Sequence, residues 1–360
     1  VCALSEAKGM IKYMKKNCEK DIEIYSSFRE ELQDIKILIT GGTGLIGSVL
    51  AERLLDMNEY FNAQNEIILL VRNKEKLSQR LLKASEEKKL TIIIGDVCEF
   101  PPVSGDLDYI IHAASITVSR MMVENPVEVI KTNLEGTINC LELGRQKKIK
   151  AMIYLSTMEV YGFTQEEMLL KENNIQYLNP LALRSSYPES KRMAENLCIS
   201  YANEYGVPVK IIRLAQTFGR GVKENDTRVF AEFARCAREN KDIHLATDGK
   251  SKRMYLETED AVRAVLAVLL KGNVGEAYNA ANKETYCSIK EMAEFVSKEI
   301  SGDKIKIEID KNKLEEGKFP PLHKLKLDVS KIEAMGWKPL YDLKAMYIRM
   351  MDEWNEISER

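Results

Sequence analysis

The sequence has few of the residues that mark metalloproteins or disulfide-stapled proteins. Only three histidines occur, and the seven cysteines are scattered without a CxxC pair. Zinc sites need clustered cysteine and histidine ligands, and disulfide frameworks show an even set of cysteines. We therefore expect reduced thiols, a cytoplasmic location and no metal site.

Long apolar runs and an excess of one charge are also absent. No run approaches the roughly 20 apolar residues that span a bilayer, and lysines interrupt the N-terminal apolar residues too often for a signal peptide. The 53 lysines and arginines nearly balance 55 acidic residues. Such a chain has no field to attract nucleic acid or an anionic membrane, so we expect neither as a partner.

The apolar residues that are present form short runs separated by amphipathic segments of helix length. The runs are DIKILIT, NEIILLV, LTIIIGD, LDYIIHA, KAMIYLS and VPVKIIRLA. Continuous apolar runs are typical of strands that helices cover on both faces. The alternation predicts an α/β fold built on a parallel sheet.

Changes in this rhythm divide the chain into three parts. Residues 1–34 have apolar positions at helical spacing and predict a helical extension, which would cap the fold or join a dimer. Residues 35–215 hold the regular alternation and predict the main α/β domain with its parallel sheet. Residues 216–360 are mainly a smaller mixed α/β lobe, with helices predicted at 225–240, 257–271, 288–300 and 342–357 and some elements returning to the first domain.

A glycine-rich turn follows the first predicted strand, in ILITGGTGLIGSVLAERLL. Gly41 permits a tight turn, Gly44 lets backbone N–H groups approach a pyrophosphate, and Gly47 lets the helix lie close to the strand. The positive end of that helix then faces the phosphates. A plain strand-to-helix turn is the alternative, but the position within an alternating α/β chain favours dinucleotide binding.

Three later strand ends would line the same cofactor. Arg72 stands where an acidic residue would bind the 2′-hydroxyl of NAD, and its guanidinium suits the 2′-phosphate of NADP. An arginine stacked on adenine, with NAD bound, is the alternative. Asp96 is placed to accept from the adenine amino group. His112 precedes small residues that skirt the cofactor, and we interpret it as a core or cofactor-wall histidine.

A tyrosine and a lysine stand four residues apart in SSYPESKRMAENLC. On a helix, Tyr187 and Lys191 would share one face. A free tyrosine has a pKa near 10 and is a poor base, but a neighbouring ammonium group favours the phenolate. The pair follows a strand that ends in LSTMEVYG, which places Thr157 at the same edge of the sheet.

Six motifs in this order resemble the extended short-chain dehydrogenase/reductase superfamily, in its nucleotide-sugar epimerase, dehydratase and decarboxylase branch. They are TGGTGLIG, LSTMEVYG, YPESK, RLAQTFGRG, DGKSKRMYLETEDAV and LDVSKIEAMGWKP. The likeness runs from about residue 36 to the C-terminus. It implies a Rossmann-type doubly wound sheet, NAD or NADP as cofactor, a lobe for a nucleoside-diphosphate sugar, and a homodimer formed through helices near 125–146 and 187–204.

The resemblance also implies roles for individual residues. Tyr187 would take the proton of a sugar hydroxyl, Lys191 would hold the nicotinamide ribose, and Thr157 would hydrogen-bond the same hydroxyl. The residues expected to bind the cofactor are Gly41, Thr43, Gly44, Leu45, Ile46, Gly47, Arg72, Asp96, Val97, Ala113, Ala114, Ser115, Tyr187 and Lys191.

The expected substrate contacts depart partly from the family pattern. Gln216 stands where the family has asparagine, and Arg220 replaces a proline. Arg253 matches the arginine that grips the sugar-nucleotide phosphates, a task suited to a forked cation. Arg228 is a weaker candidate for the same pocket.

In enzymes of this branch, a sugar hydroxyl is first converted to a ketone. The resemblance implies that residues of LSTMEVYG then decide which reaction follows. Dehydratases of this branch carry an aspartate at the position of Met158, which cannot donate a proton. Elimination should therefore be slow. Glu159, the fourth candidate catalytic residue, also resembles the UDP-glucuronate decarboxylases, although it is alternatively a carboxylate bonded to nearby backbone N–H groups.

We predict a redox-neutral nucleotide-sugar enzyme that works through a 4-keto intermediate and recycles its cofactor. Of the possible reactions, 4-epimerisation is the first choice, decarboxylation the second and 4,6-dehydration the third. Two rival classes stay open: a net NADP-dependent reductase and a catalytically inactive cofactor-sensing protein.

Overall fold

The computed structural model describes residues 22–164, 166–309 and 322–358. Its strands are β1 Lys36–Thr40, β2 Glu66–Val71, β3 Thr91–Ile94, β4 Tyr109–His112, β5 Ala151–Thr157, β6 Leu169–Leu170, β7 Val209–Leu214, β8 Gln216–Thr217, β9 Ile243–Leu245, β10 Lys252–Leu256, β11 Ala277–Ala280, β12 Asn282–Ser288, β13 Ile307–Ile309 and β14 Lys324–Leu327.

The helices connect most of these strands. The α-helices are α1 Leu45–Phe61, α2 Gln79–Glu86, α3 Met121–Glu124, α4 Pro126–Lys147, α5 Ser186–Tyr205, α6 Val229–Glu239, α7 Thr258–Lys271, α8 Ile289–Phe295, α9 Ser330–Glu333 and α10 Leu343–Ser358. Short 3-10 turns occupy Ser26–Phe28, Lys74–Lys76, Met158–Tyr161 and Leu183–Ser185, and a π-helix spans Val296–Ile300. Among the described residues, no helix has the length and apolar character needed to cross a bilayer.

Seven parallel strands form the central sheet in the order β11-β7-β5-β4-β1-β2-β3. Successive residues of β1 face opposite sides: Ile37 and Ile39 join the core on one face, and Leu38 joins the core on the other. Both faces of the strand are therefore apolar, as parallel sheets between helices require. The predicted α/β, doubly wound parallel sheet is confirmed.

Helices cover the two faces of this sheet in separate layers. Buried residues of α1 and α7, such as Leu54 and Val265, pack on one face. Cys140 of α4 and Cys198 of α5 pack on the other. The chain is thus a three-layer α/β fold whose strand order changes direction between β1 and β4, which is where such folds bind their ligands.

A second sheet is formed mainly by strands from the C-terminal half, in the order β12-β10-β14-β6, with β8 paired to β10; β6 comes from the segment before residue 216. Its lobe has its own aromatic core, in which Phe218 stacks on Phe230 with ring centroids 4.4 Å apart. The helix α7 and the strand β11 belong instead to the central sheet and the helices that cover it. The domain boundary at residue 216 stays a prediction. The helix α7 and the strand β11 follow that boundary in sequence but pack with the first domain.

The N-terminal segment that the structure describes packs against the main core. Tyr25 and Leu32 are fully buried there, and the Tyr25 hydroxyl donates to Glu259 Oε2 of α7 at 2.6 Å. Residues 1–21 of the predicted helical extension lie outside the described residues. Within 22–34 the chain is helical at residues 22–23 and in the 3-10 helix Ser26–Phe28, and forms turns and bends elsewhere.

Candidate active site

The carboxyl ends of the central strands bring most of the predicted residues to one edge of the sheet. Gly41 follows β1, Arg72 follows β2, and Ala113 follows β4. Thr157 ends β5. Parallel strands place these ends side by side, so residues far apart in sequence meet at the switch point of the sheet.

The turn after β1 has space for glycine but not for larger residues. Gly41 has φ +74°, and a Cβ atom there would lie 2.7 Å from the Ala114 backbone nitrogen. A Cβ atom on Gly47 would lie 2.5 Å from the Gly41 carbonyl oxygen. Gly44 caps α1 without a side-chain hydrogen bond, so the first N–H groups of the helix remain available to an anion. The loop therefore fits the pyrophosphate of a dinucleotide.

The next two strand ends place an arginine and an aspartate near each other. Arg72 Nη1 lies 3.9 Å from Asp96 Oδ2, and the Arg72 side chain is 65% exposed. Asp96 Oδ1 accepts from the Cys98 backbone N–H at 2.8 Å. The guanidinium is held only loosely and is free to reach a ligand at this edge.

His112 is buried at the end of β4. Its Nδ1 lies 2.8 Å from Thr40 Oγ1, and its Nε2 lies 3.2 Å from Thr137 Oγ1. Burial, followed by the nearby charge of Lys191, lowers its pKa to about 3. The imidazole is thus a neutral core group at physiological pH.

Thr157, Tyr187 and Lys191 come together where β5 faces α5. The Thr157 hydroxyl hydrogen-bonds Tyr187 and also accepts from the Glu159 backbone N–H at 3.2 Å. Lys191 Nζ donates to the Leu155 carbonyl at 2.8 Å and lies 5.9 Å from the centroid of the Tyr187 ring. The strand and the helix therefore deliver a hydroxyl, a phenol and an ammonium group to one point.

Burial controls the electrostatics of this point. It raises the pKa of Tyr187 above its ordinary value, and the negative charge of Glu159 raises that pKa further. The hydrogen bond from Thr157 and the charges of Arg184 and Arg228 lower it. Burial also lowers the pKa of Lys191 to about 7. Nearby cations are therefore needed before Tyr187 can act as a base near neutral pH.

Glu159 has a partner that the sequence did not suggest. Arg184 Nη2 donates to both of its carboxylate oxygens, at 2.8 and 3.1 Å, and the side chains of Arg184 and Glu159 are 26% and 33% exposed. Arg184 stands three residues before Tyr187, but nothing in the sequence pairs it with a residue 25 positions upstream. Met158, in contrast, is buried and packs in the hydrophobic core.

Two of the four predicted substrate residues contact each other. Arg253 Nη1 donates to Gln216 Oε1 at 3.4 Å, because β8 pairs with β10. Arg253 Nη2 lies 2.9 Å from His323 Nε2, whereas the buried Arg253 Nε has no hydrogen-bond partner. A buried, unsatisfied guanidinium N–H is costly in isolation, so this atom fits an anion such as a diphosphate.

The other two predicted substrate residues, Arg220 and Arg228, have different surroundings. Arg220 Nε lies 3.8 Å from Glu259, and its Nη2 lies 3.9 Å from Glu52, so the side chain points toward α1 and α7. Arg228 donates to Asp226 at 2.6 Å, yet its charge lowers the pKa of Tyr187, so it lies within electrostatic reach of the site. Arg228 is thus within electrostatic reach of Tyr187, whereas Arg220 forms ion pairs with Glu52 and Glu259.

Comparison with known proteins agrees with this geometry. The sequence profile of the NAD dependent epimerase/dehydratase family matches residues 37–281, which is more than half of the chain. The chain belongs to the NAD-dependent epimerase/dehydratase family. Members of this family are NAD(P)-dependent enzymes, and the predicted extended short-chain dehydrogenase/reductase resemblance is confirmed.

Curated relatives extend over most of the chain. UDP-glucuronic acid decarboxylase 1 of Xenopus tropicalis is 31% identical over 320 residues, covering 88% of this chain and 71% of the relative. UDP-glucuronic acid decarboxylase 3 of Arabidopsis thaliana is 31% identical over 317 residues, covering 86% of each chain. The sequence relatives thus match the second of the three predicted reactions.

Solved structures share the fold at lower identity. A UDP-glucuronic acid 4-epimerase variant from Bacillus cereus, in complex with a fluorinated UDP-glucuronic acid and NAD, has a TM-score of 0.75 and 21% identity, covering 90% of this chain and 100% of that one. The dTDP-glucose 4,6-dehydratase DesIV of Streptomyces venezuelae, with NAD bound, has a TM-score of 0.72 and 21% identity, covering 89% and 97%. At this identity they establish the fold alone.

Proposed function

We propose that this protein decarboxylates a nucleoside-diphosphate hexuronate through a 4-keto intermediate, with no net oxidation. The pairing of Arg184 with Glu159 beside Tyr187 carries this proposal. The identity to UDP-glucuronic acid decarboxylases supports it. The unsatisfied Arg253 N–H would receive the diphosphate, which anchors the sugar while its ring reacts.

The first step would use the residues at the end of β5 and the start of α5. Tyr187 takes the proton of the sugar 4-hydroxyl, and Thr157 hydrogen-bonds the same oxygen as it becomes a ketone. A bound nicotinamide supplies a hydride acceptor and donor, so that the carbon is oxidised and later reduced. Lys191, held by the Leu155 carbonyl, supplies a positive charge next to the phenol.

Ketone formation makes the carboxylate of a hexuronate labile. The ketone at C4 and the carboxylate on C5 together form a β-keto acid. When the bond from C5 to the carboxylate breaks, carbon dioxide leaves, and the electron pair passes into an enolate whose oxygen Thr157 and Tyr187 stabilise. C5 then takes a proton from solvent, and reduction of C4 completes the pentose.

The two charged residues at the site suit this step. The guanidinium of Arg184 would bind the carboxylate in a bidentate pair and present it above the ring. Glu159, which holds Arg184 in the free protein, would repel the bound carboxylate and so favour its loss as neutral carbon dioxide. Both residues lie within electrostatic reach of Tyr187.

A 4-epimerase is the second candidate function. Thr157, Tyr187 and Lys191 suffice for it, provided that the ketose can turn over in the pocket before it is reduced. A 4,6-dehydratase is less well supported, because the buried Met158 leaves no acid at the position where that reaction needs one.

Mass spectrometry of products from a panel of UDP-, dTDP-, GDP- and CDP-sugars tests this proposal. A decarboxylase converts the hexuronate to a pentose with loss of carbon dioxide and no change in nicotinamide absorbance. An epimerase leaves the mass unchanged, and a dehydratase removes water. Stoichiometric consumption of the cofactor would instead support the rival net reductase, and absence of any turnover the cofactor-sensing protein.

The form of the cofactor is also part of the proposal. Arg72 is exposed and only loosely held by Asp96, so it can receive a 2′-phosphate, which favours NADP over NAD. Calorimetric titration with both cofactors measures this preference. The substitution Arg72→Ala should weaken NADP binding about tenfold or more while leaving NAD binding nearly unchanged; equal losses would show that Arg72 only stacks on adenine.

We further propose that the protein is a cytoplasmic homodimer formed through α4 and α5. Apolar side chains lie exposed on both helices, among them Val127, which is 65% exposed, and Met193, which is 52% exposed. Pairing of these faces would remove them from water. Sedimentation of the wild type and of Met193→Glu should show a dimer and a monomer, respectively.

The cytoplasmic part of the proposal is consistent with the thiols. The five described cysteines are free thiols, as a reducing compartment allows.

A further inference from the structure

The helix that carries Tyr187 and Lys191 has a third polar residue on the same face. Glu195 follows Tyr187 by eight positions and Lys191 by four, which aligns all three along one side of α5. Glu195 is only 8% exposed. A buried carboxylate needs a compensating partner, and the neighbouring strands supply one.

The Glu195 carboxylate joins three elements. It accepts from Ser156 Oγ at 2.5 Å and from Arg213 at 2.9 and 2.7 Å. Ser156 of β5 and Arg213 of β7 are register partners across the sheet. Because Ser156 directly precedes Thr157, the carboxylate fixes α5 to the strand end that presents the Thr157 hydroxyl.

The remaining donors of Arg213 reach the turn that carries Glu159. Arg213 Nη1 donates to the Tyr161 hydroxyl at 3.0 Å, and that hydroxyl donates to Asn279 Oδ1 at 2.7 Å. The network therefore links three elements of the site: the end of β5, the Met158–Tyr161 turn and the helix α5.

We propose that Glu195, held by Arg213, is a positioning residue that fixes β5 against α5 and keeps Lys191 cationic. This inference rests on the proposed function, because it assigns Lys191 a charged role there. Glu195 touches neither substrate nor cofactor in this account. It acts through Ser156 and through its charge.

Among the groups that face Lys191, Glu195 is the main negative charge that stabilises the protonated amine. Burial lowers the pKa of Lys191 to about 7, and the charge of Glu195 opposes this shift. Burial keeps three other facing groups uncharged near neutral pH, since it lowers the pKa of the imidazole and raises those of the thiol and of the Tyr154 phenol. These groups are His112 of β4, Tyr154 of β5 and Cys198 of α5. The phenol of Tyr187 becomes the proton acceptor only with cations beside it.

An NMR titration of the cofactor-bound protein with carbon-13 at lysine Cε tests this inference. The Lys191 resonance is assigned by its loss in Lys191→Arg. In Glu195→Gln its midpoint should fall by about one pH unit, because the opposite charge is gone. In Glu195→Asp, which keeps the charge, the midpoint should stay in place even if turnover slows. Glu189→Gln is the matched control, because Glu189 lies on the same helix in a partly buried 3.5 Å pair with Arg192.

In active protein, the alkaline limb of the kcat/KM profile should move down by the same amount in Glu195→Gln. If that variant fails to fold, Arg213→Gln removes the counter-charge of Glu195 and should raise the midpoint. An unchanged midpoint in Glu195→Gln, or an equal fall in Glu189→Gln, overturns the inference. Lack of turnover on every nucleotide sugar refutes the proposed function alone, since the NMR titration needs no substrate.

Discussion

At the scale of single residues, the phenol of Tyr187 is the group on which the proposed chemistry depends. Tyr187→Phe should lower kcat about 10²- to 10⁴-fold, because it removes the proton acceptor but keeps the ring that packs against Met122 and Val129. Stopped-flow assays and thermal unfolding, measured together, separate lost chemistry from lost stability. A variant with wild-type turnover would show that another group takes the proton.

Arg184 determines, in our account, which sugar is accepted. Arg184→Met should raise KM for a nucleoside-diphosphate hexuronate about 10- to 100-fold, since one charge-assisted pair is lost. Binding of the matching hexose, which has no carboxylate, should hardly change. Arg120→Met serves as control, because Arg120 is 80% exposed and pairs with Glu124 on the surface. Equal losses for both sugars would refute the specificity role.

Sequence reasoning predicted some of these residues better than others. Tyr187 and Lys191 are local, because helical spacing alone puts them on one face, and the same spacing points to Glu195. Arg184 was missed, since its contact with Glu159 depends on how a loop folds back. The side chain of Arg220 points to Glu259, a direction that no local pattern encodes.

At the scale of elements, the turn from β1 to α1 is the least tolerant segment of the cofactor site. Gly41→Ala should weaken cofactor binding at least about tenfold, because the added Cβ meets the Ala114 backbone at 2.7 Å and forces the loop to move. Gly206→Ala is a matched control: Gly206 has a similar φ of +68° but nothing within 4 Å of its Cβ position. Gly206→Ala should lose about 1–2 kcal/mol of stability from its positive φ alone, and Gly41→Ala should lose at least as much. Equal cofactor affinity in both would contradict the role of the turn.

The N-terminal segment is anchored to the fold by buried apolar side chains and by the hydrogen bond from Tyr25 to Glu259. Tyr25→Phe removes this 2.6 Å bond, although Arg53 still donates to Glu259, and should lower the free energy of unfolding by about 1–3 kcal/mol. Chemical denaturation measures this loss. Tyr177→Phe, at a ring that is 73% exposed, should cost almost nothing. If the two variants proved equally stable, the segment would not be anchored through Tyr25.

At the scale of the whole molecule, the alternation of strands and helices was sufficient to predict six of the seven strands of the central sheet, all except β11. Each predicted strand from β1 to β5, and β7, is present. Strands of a parallel sheet that helices cover on both faces have apolar residues at successive positions, so they are recognisable as continuous apolar runs. The C-terminal lobe was harder to predict. Its strands β6, β8 and β14 have two to four residues, and distant segments supply their partners.

The central claim is that one site oxidises a hexuronate at C4, removes its carboxylate and reduces the ketone again. Mass spectrometry of the product formed from UDP-glucuronate in deuterium oxide tests this claim most directly. We expect a UDP-pentose that has lost carbon dioxide and gained one deuterium at C5, with no net change in the nicotinamide cofactor. A product of unchanged carbon count, or one formed only as the cofactor is consumed, would contradict the account.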